Sequence, residues 1–195
     1  VGFAAVHELG ERCEQAVGLV GLEAGKAHEL VGGLHVAKFH LQRDLIEQAA
    51  GVRPQGWVSP RGTPSPRTPR LLAEEGFTWH GDTLNDDLPY RVDFENGRSI
   101  VAFPGNMEVN DLPVYLRHGN APRQLMELYE DWYAYARDVE RGPARLDPTI
   151  HSHVFGRPIG MSVFEKMLAH AKAAPDIWTG TRGEAVAHIR SLGLF

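Results

Sequence analysis

The sequence predicts an α/β fold built on a largely parallel sheet. Two observations lead there. Short apolar runs alternate with helical patterns from about residue 43 onward, the signature of strands joined by helical crossovers. Glycine or proline stands at most of the junctions, where turns and helix ends require them. At 195 residues, 43% hydrophobic and 23% charged, the chain suits one soluble domain, or one domain and an appendage.

Residues 43–50 (RDLIEQAA) read as a helix end, with Gly51 just past its cap and Pro54 soon after. Residues 56–59 predict a short buried strand, 69–75 a helix stopped by Gly76, and 77–79 the next strand. Residues 90–103 predict a hairpin. Its strands RVDFE and RSIVAF flank Asn96-Gly97, a pair that favours a two-residue type I′ turn. Residues 104–121 read as loop. A long helix is expected over 122–141, with proline at its start and Gly142 after it. Leu125, Leu128, Tyr129, Trp132, Tyr135 and Val139 recur at helical spacing and predict a core-facing stripe. A short strand at 146–151, a helix at 161–173, a strand at 177–179 and a helix at 182–192 complete the pattern.

Residues 1–43 have a different texture. Val6, Leu9, Cys13 and Val17 keep helical spacing, but seven glycines interrupt the segment, among them Gly32 and Gly33. Each interior glycine costs a helix up to about 1 kcal/mol relative to alanine. The organisation expected is therefore a weakly specified segment over 1–43 and a folded portion over 44–195.

Net charge is −5, which leaves no basic face for nucleic acid. The single cysteine, Cys13, excludes an internal disulfide framework and fits a reducing, cytoplasmic compartment. No apolar run approaches the roughly 18–20 residues of a membrane span. The first residues do not resemble a secretory signal. A start at Val1 rather than Met is expected of a fragment or a processed product.

The segment 56–90 is the richest in chemistry. It sets Trp57 and three arginines among four prolines by Arg70, then reaches an acidic loop with Asp82, Asp86 and Asp87. Prolines fix φ and stiffen a loop without regular structure. Such a segment is either a binding loop or a surface loop with solvated arginines. The acidic loop is likewise open between a polar-ligand or metal site and a solvated turn. His151 and His153 stand two apart at an expected strand end. A zinc site needs three or four ligands, so the pair alone is a weak metal signal. A histidine at the carboxyl end of a strand has a stronger claim to acid–base chemistry. Most other histidines stand alone beside polar residues, the ordinary setting of solvated side chains. His35 and His40 are five apart, which separates their faces on a helix. P-loop, dinucleotide, Gly-x-Ser-x-Gly, HExxH and EF-hand patterns are all absent.

The order GVRPQGWVSPRGTPSPRTPRLLAEEGFTWHGDTLNDDLPYRV, a hairpin, a long helix, then LDPTIHSHVFGRP and DIWTGTRGEAVAHIR resembles the polysaccharide deacetylase family (carbohydrate esterase family 4). It is most similar to the branch of allantoinase-like and peptidoglycan-deacetylase-like enzymes, over about residues 44–195. The resemblance implies a partial, distorted βα barrel. It implies hydrolysis of carbon–nitrogen bonds, removing N-acetyl groups from sugars or opening small cyclic amides, often with a divalent metal such as zinc. His151 matches the histidine that protonates the leaving amine. Pro60 and Gly62 match the family's Arg-x-Pro-aromatic-Gly motif, with Val58 where its arginine is expected and Arg61 in place of the aromatic residue. Trp57, Arg61, Asp86 and Asp87 are the implied substrate-lining residues.

The family's catalytic aspartate and its metal-binding histidine pair have no counterpart in residues 1–43, which contain no aspartate. No metal ligand is therefore assignable, and residues 1–43 are expected to be foreign to the domain. The alternative reading is a non-catalytic binding module that keeps the cleft. The expected partner is a carbohydrate or small molecule. A partial barrel also leaves sheet edges open, which favours homo-oligomerisation or marginal stability.

Overall fold

The computed structural model describes residues 30–195, with side chains from His40 onward. The spacing of Val6, Leu9, Cys13 and Val17 lies outside the described residues. Two compact units divide between Pro54 and Gln55. The first contributes helix α1 (Leu30–Ala50). Gly51 ends it with φ +70° and donates its N–H to the Glu47 carbonyl at 2.8 Å, as expected of a residue past a cap. Gly32 and Gly33 sit inside α1, where they were expected to interrupt a helix.

The second unit carries a four-stranded sheet in the order β1-β2-β4-β3. Strands β1 (Gly56–Trp57), β2 (Trp79–His80) and β4 (Ser99–Ala102) run parallel. Strand β3 (Tyr90–Asp93) pairs antiparallel with β4 from Tyr90↔Ala102 to Asp93↔Ser99. Helix α2 (Thr68–Glu74) precedes β2 and contributes buried Leu72 and Ala73. The hairpin is present, but its turn differs from expectation. The Gly97 N–H bonds to the Phe94 carbonyl at 3.0 Å, and Gly97 has φ +74° while Asn96 keeps a negative φ. A type I′ turn needs positive φ at both central residues, so this is the longer loop with glycine in the left-handed position.

Two expected strands, at 146–151 and 177–179, do not form. Residues 177–179 are irregular, and Thr149 makes only an isolated parallel bridge to Asn110. The loop expected over 104–121 contains a π-helical turn, Leu112–Arg117. Helix α3 (Arg123–Tyr135) continues as a π turn, Ala136–Glu140, before the chain reverses at Arg141 with φ +55°. Its stripe is only partly core. Leu125 and Tyr129 are buried, whereas Leu128, Tyr135 and Val139 are exposed, and of these only Val139 lies in the π turn that shifts the phase of the pattern.

Helix α4 (Pro158–Ala173) begins at a proline, three residues earlier than expected. Its Val163 and Met167 pack with Leu125, Tyr129, Val109 and Phe155 in the main apolar cluster. Helix α5 (Arg182–Ser191) opens with a reciprocal cap. The Glu184 N–H donates to Thr181 Oγ, and Glu184 Oε2 accepts from the Thr181 N–H at 2.6 Å. Val186 of α5 joins Val101, Phe103, Trp79 and Phe195 in a second cluster over β2 and β4.

Gly160 marks the tightest approach within the main cluster. A Cβ there would lie 2.6 Å from the Phe155 Cα and 2.8 Å from its carbonyl oxygen. Backbone cannot yield as a flexible side chain can. Gly160→Ala is expected to destabilise the fold by about 1–3 kcal/mol, and Leu125→Ala by about 2–5 kcal/mol. Urea denaturation of the second unit's transition measures both, and a Gly160→Ala midpoint equal to wild type contradicts the packing described.

Candidate functional site

Parallel strands gather their functional side chains at the carboxyl edge, where turns lead away from the sheet. Ser59 follows β1, Asp82 follows β2 and Asn106 follows β4. Asp111 and His151 stand just past the Asn110–Thr149 bridge.

His151 and Asp111 form the most developed constellation. Asp111 is fully buried. Its Oδ1 lies 2.6 Å from His151 Nδ1, and its Oδ2 accepts the His151 backbone N–H at 2.7 Å. A buried carboxylate at this distance fixes the Nδ1–H tautomer and the orientation of the ring. His151 keeps a side-chain exposure of 32%, which leaves the Nε2 side available to solvent. The ring of His153 stands edge-on, 5.5 Å between centroids. The main chain positions the dyad too, because the Thr149 N–H bonds to the Val109 carbonyl and the Asp111 N–H to the Thr149 carbonyl.

A second cluster lies at the ends of β2 and β4. Arg182 Nε donates to Asp147 Oδ2 at 2.9 Å, and its Nη2 donates to the same oxygen. The guanidinium lies over Trp79 and Phe103, 5.4 and 5.5 Å from their centroids. Arg145 stacks over Phe103 at 5.0 Å and donates from Nε to the Asp87 carbonyl at 3.2 Å. Burial lowers the Arg145 pKa, opposed by the Asp147 charge. Asn106 holds this loop by accepting the Asp147 N–H at 2.8 Å.

At β1, Asp82 accepts the Ser59 backbone N–H at 2.6 Å and its hydroxyl at 2.7 Å. Trp57 Nε1 donates to Ser59 Oγ at 3.1 Å. His80, almost fully buried beside them, has two ring nitrogens without a hydrogen-bond partner among the described residues. Burial lowers its pKa, with Asp82 pulling more weakly the other way.

The sequence-derived residues fall unevenly on this geometry. Arg61 is exposed and takes a left-handed φ of +59°, a conformation that costs a non-glycine residue roughly 1–2 kcal/mol. Asp86 accepts the Leu88 N–H at 3.1 Å in a local turn. Asp87 is exposed, and its carbonyl anchors Arg145. The side chain of His151 meets Asp111 and His153 instead. Motif and spacing do not single out Asp111, Arg145, Asp147 or Arg182, whereas Ser59 and Asp82 lie in the proline-rich segment and its acidic loop. Asp111 lies in VNDLP, which carries no periodic or motif signal.

Three solved structures share this architecture. A "probable polysaccharide deacetylase" of Pseudomonas aeruginosa superposes with a TM-score of 0.74 at 23% identity, covering 84% of this chain and 55% of that one. An allantoinase, Puue, gives 0.74 at 23% identity, covering 89% and 57%. The chain has the polysaccharide deacetylase fold. A "putative polysaccharide deacetylase" of Mycobacterium smegmatis matches this deacetylase fold at 0.72 and 25% identity, covering 86% and 61%. In sequence, a "putative polysaccharide deacetylase" of Schizosaccharomyces pombe is 27% identical over 118 residues, 52% of this chain and 35% of that protein. No family model matches. The chain thus spans about a third of this curated relative and little more than half of the solved deacetylase-fold chains.

The divalent metal implied by resemblance finds no set of ligands. Among the described residues, no three of His, Cys, Asp and Glu come together. His151 and His153 form a pair only, and Nδ1 of His151 is already held by Asp111. The described side chains do not compose that centre.

His80 sets a pH dependence for stability. Its pKa lies below 6.5 when folded, so below about pH 6.5 the unfolded chain takes up a proton that the folded chain resists. Stability is full above that pH and falls as pH drops through the window down to the folded pKa. In His80→Phe the decline from about pH 6.5 to 5 is expected to flatten. Urea midpoints measured across that range test this, and equal slopes in the two proteins contradict it.

Proposed function

We propose that this chain is part of a hydrolase of non-peptide carbon–nitrogen bonds, removing N-acetyl groups or opening a small cyclic amide. The observation that carries this reading is the Asp111–His151 dyad, on a fold shared with structures titled deacetylase and allantoinase. Water adds to the carbonyl carbon, and the tetrahedral adduct expels nitrogen only once that nitrogen is protonated. The His151 Nε2–H delivers this proton. Asp111 holds the ring through Nδ1 and so leaves Nε2 as the nitrogen that carries the transferred proton. The carbon–nitrogen bond then breaks, giving a carboxylate and an amine. Trp57, Arg61, Asp86 and Asp87 are proposed to line the substrate path, with Arg61 offering a cation near the position of Val58 in the motif.

The base that takes the proton from water is not assigned, since residues 1–43 have no aspartate. This chain alone is therefore expected to turn over slowly. Cys13 as the single cysteine supports a cytoplasmic setting. No described helix is long and apolar enough to cross a membrane. The open β1 edge suits association with a second copy.

Release of acetate from N-acetylhexosamine oligomers and consumption of allantoin test the reading. Whatever rate is found is expected to fall about 10²–10⁴-fold in His151→Ala, and by a similar order in Asp111→Asn, which loses the carboxylate that fixes the ring's tautomer. A rate untouched by His151→Ala removes the dyad from the reaction. Saturable binding of these substrates with no turnover assigns the chain to the binding-module alternative, which the valine at position 58 favours.

A further inference from the structure

We propose that Asn96 is a site of spontaneous covalent modification, closing a succinimide ring with the backbone nitrogen of Gly97, and that the hairpin turn sets its rate. Of the asparagines in the chain, only Asn96 precedes a glycine. A side chain on the following residue shields the backbone nitrogen from attack geometry, and glycine has none. Asn96 and Gly97 are both exposed. A Cβ built on Gly97 would meet nothing within 4 Å, so water and base reach the turn.

The reaction needs only water and base. The Gly97 nitrogen gives up its proton and attacks Asn96 Cγ. A nitrogen–Cγ bond forms, the Cγ–Nδ2 bond breaks, and Nδ2 takes up a proton and leaves as ammonia. Water then opens the ring at either carbonyl. One opening gives aspartate at position 96. The other gives isoaspartate, which routes the main chain through Cβ.

The closed turn opposes this attack. The Gly97 N–H donates to the Phe94 carbonyl at 3.0 Å, which holds the proton that must leave. Asn96 Oδ1 accepts the Arg98 N–H at 3.1 Å, and Nδ2 donates to Glu74 Oε1 at 2.8 Å. The amide is thereby fixed at both ends, and ring closure awaits local opening of the turn. The product fits the site poorly. It replaces a donor with a second anion beside Glu74, whose Oε1 already accepts from Arg70 Nε at 2.9 Å. The tether between the hairpin and α2 becomes a repulsion.

The test incubates the full chain in mildly alkaline buffer, folded or unfolded in guanidinium, and follows each asparagine by peptide mapping. An isoaspartyl methyltransferase reports isoaspartate. Asn96 is expected to convert before Asn85, which is exposed but followed by aspartate. Folding is expected to slow Asn96 about tenfold or more, the worth of one or two net hydrogen bonds. Glu74→Ala frees Nδ2 and is expected to speed conversion in the folded chain about three- to tenfold. Asn96→Asp is expected to lower the urea midpoint, and to lower it less in the Glu74→Ala background. No conversion of Asn96 in the folded chain, or conversion no faster than at Asn85, overturns the site. Equal rates in folded and unfolded chain, or a Glu74→Ala rate equal to wild type, overturn the control by the turn. None of these readouts depends on turnover at His151.

Discussion

A carboxylate taken fully out of water is among the most demanding groups a small domain can hold. Asp111 is tolerable only because each oxygen finds a donor, one from the ring and one from the backbone of the same residue, His151. That requirement couples two stretches forty residues apart. It aligns 109–111 with 149–151, sets the start of the turn leading to Val154 and Phe155, and so places the residues on which α3 and α4 pack. The dyad and the main apolar cluster are therefore one assembly. A change at Asp111 reaches the core as well as the chemistry.

The carboxyl ends of β2 and β4 are held by a different balance. Two guanidinium groups crowd one carboxylate, Asp147, and both lie over the face of Phe103. Stacking suits arginine because its planar cation is weakly hydrated and meets a ring at little cost. Any side chain at Gly81 would meet Arg182 and Val58 together. A cation supplied by α5 thus stands close to the position at which the family pattern carries an arginine and this chain a valine.

Local signals in the sequence were read well where the backbone alone decides them. The α2 helix and its Gly76 stop, the Pro122 entry to α3 and the hairpin all rest on short-range chemistry. Misreadings share a cause. The hairpin turn gained a residue because Asn96 stays right of the left-handed region while Gly97 alone enters it. The α3 stripe breaks already at Leu128, and the π turn at Ala136–Glu140 shifts its phase further for Val139. The apolar run at 177–179 has no strand partner. Of the Asp111–His151 pair only His151 carries a sequence signal, while Ser59 and Asp82 fall in the segment 56–90 that the sequence marks as rich in chemistry. Asp111, Ser59, Asp82 and Asp147 act through partners 23 to 40 residues away, a separation that no periodicity encodes.

Helix α5 closes the cluster over β2 and β4 with Val186 and Phe195, although those strands end near residue 102. Chains grow from the amino terminus at roughly 5–20 residues per second. The sheet is therefore made well before its cover exists, and Val101 and Phe103 wait for residues 182–195 to arrive. Contacts this distant along the chain form slowly. During synthesis the sheet presents the same apolar face that α5 later hides, and Val186 acts as the latch that ends its exposure to chaperones and proteases.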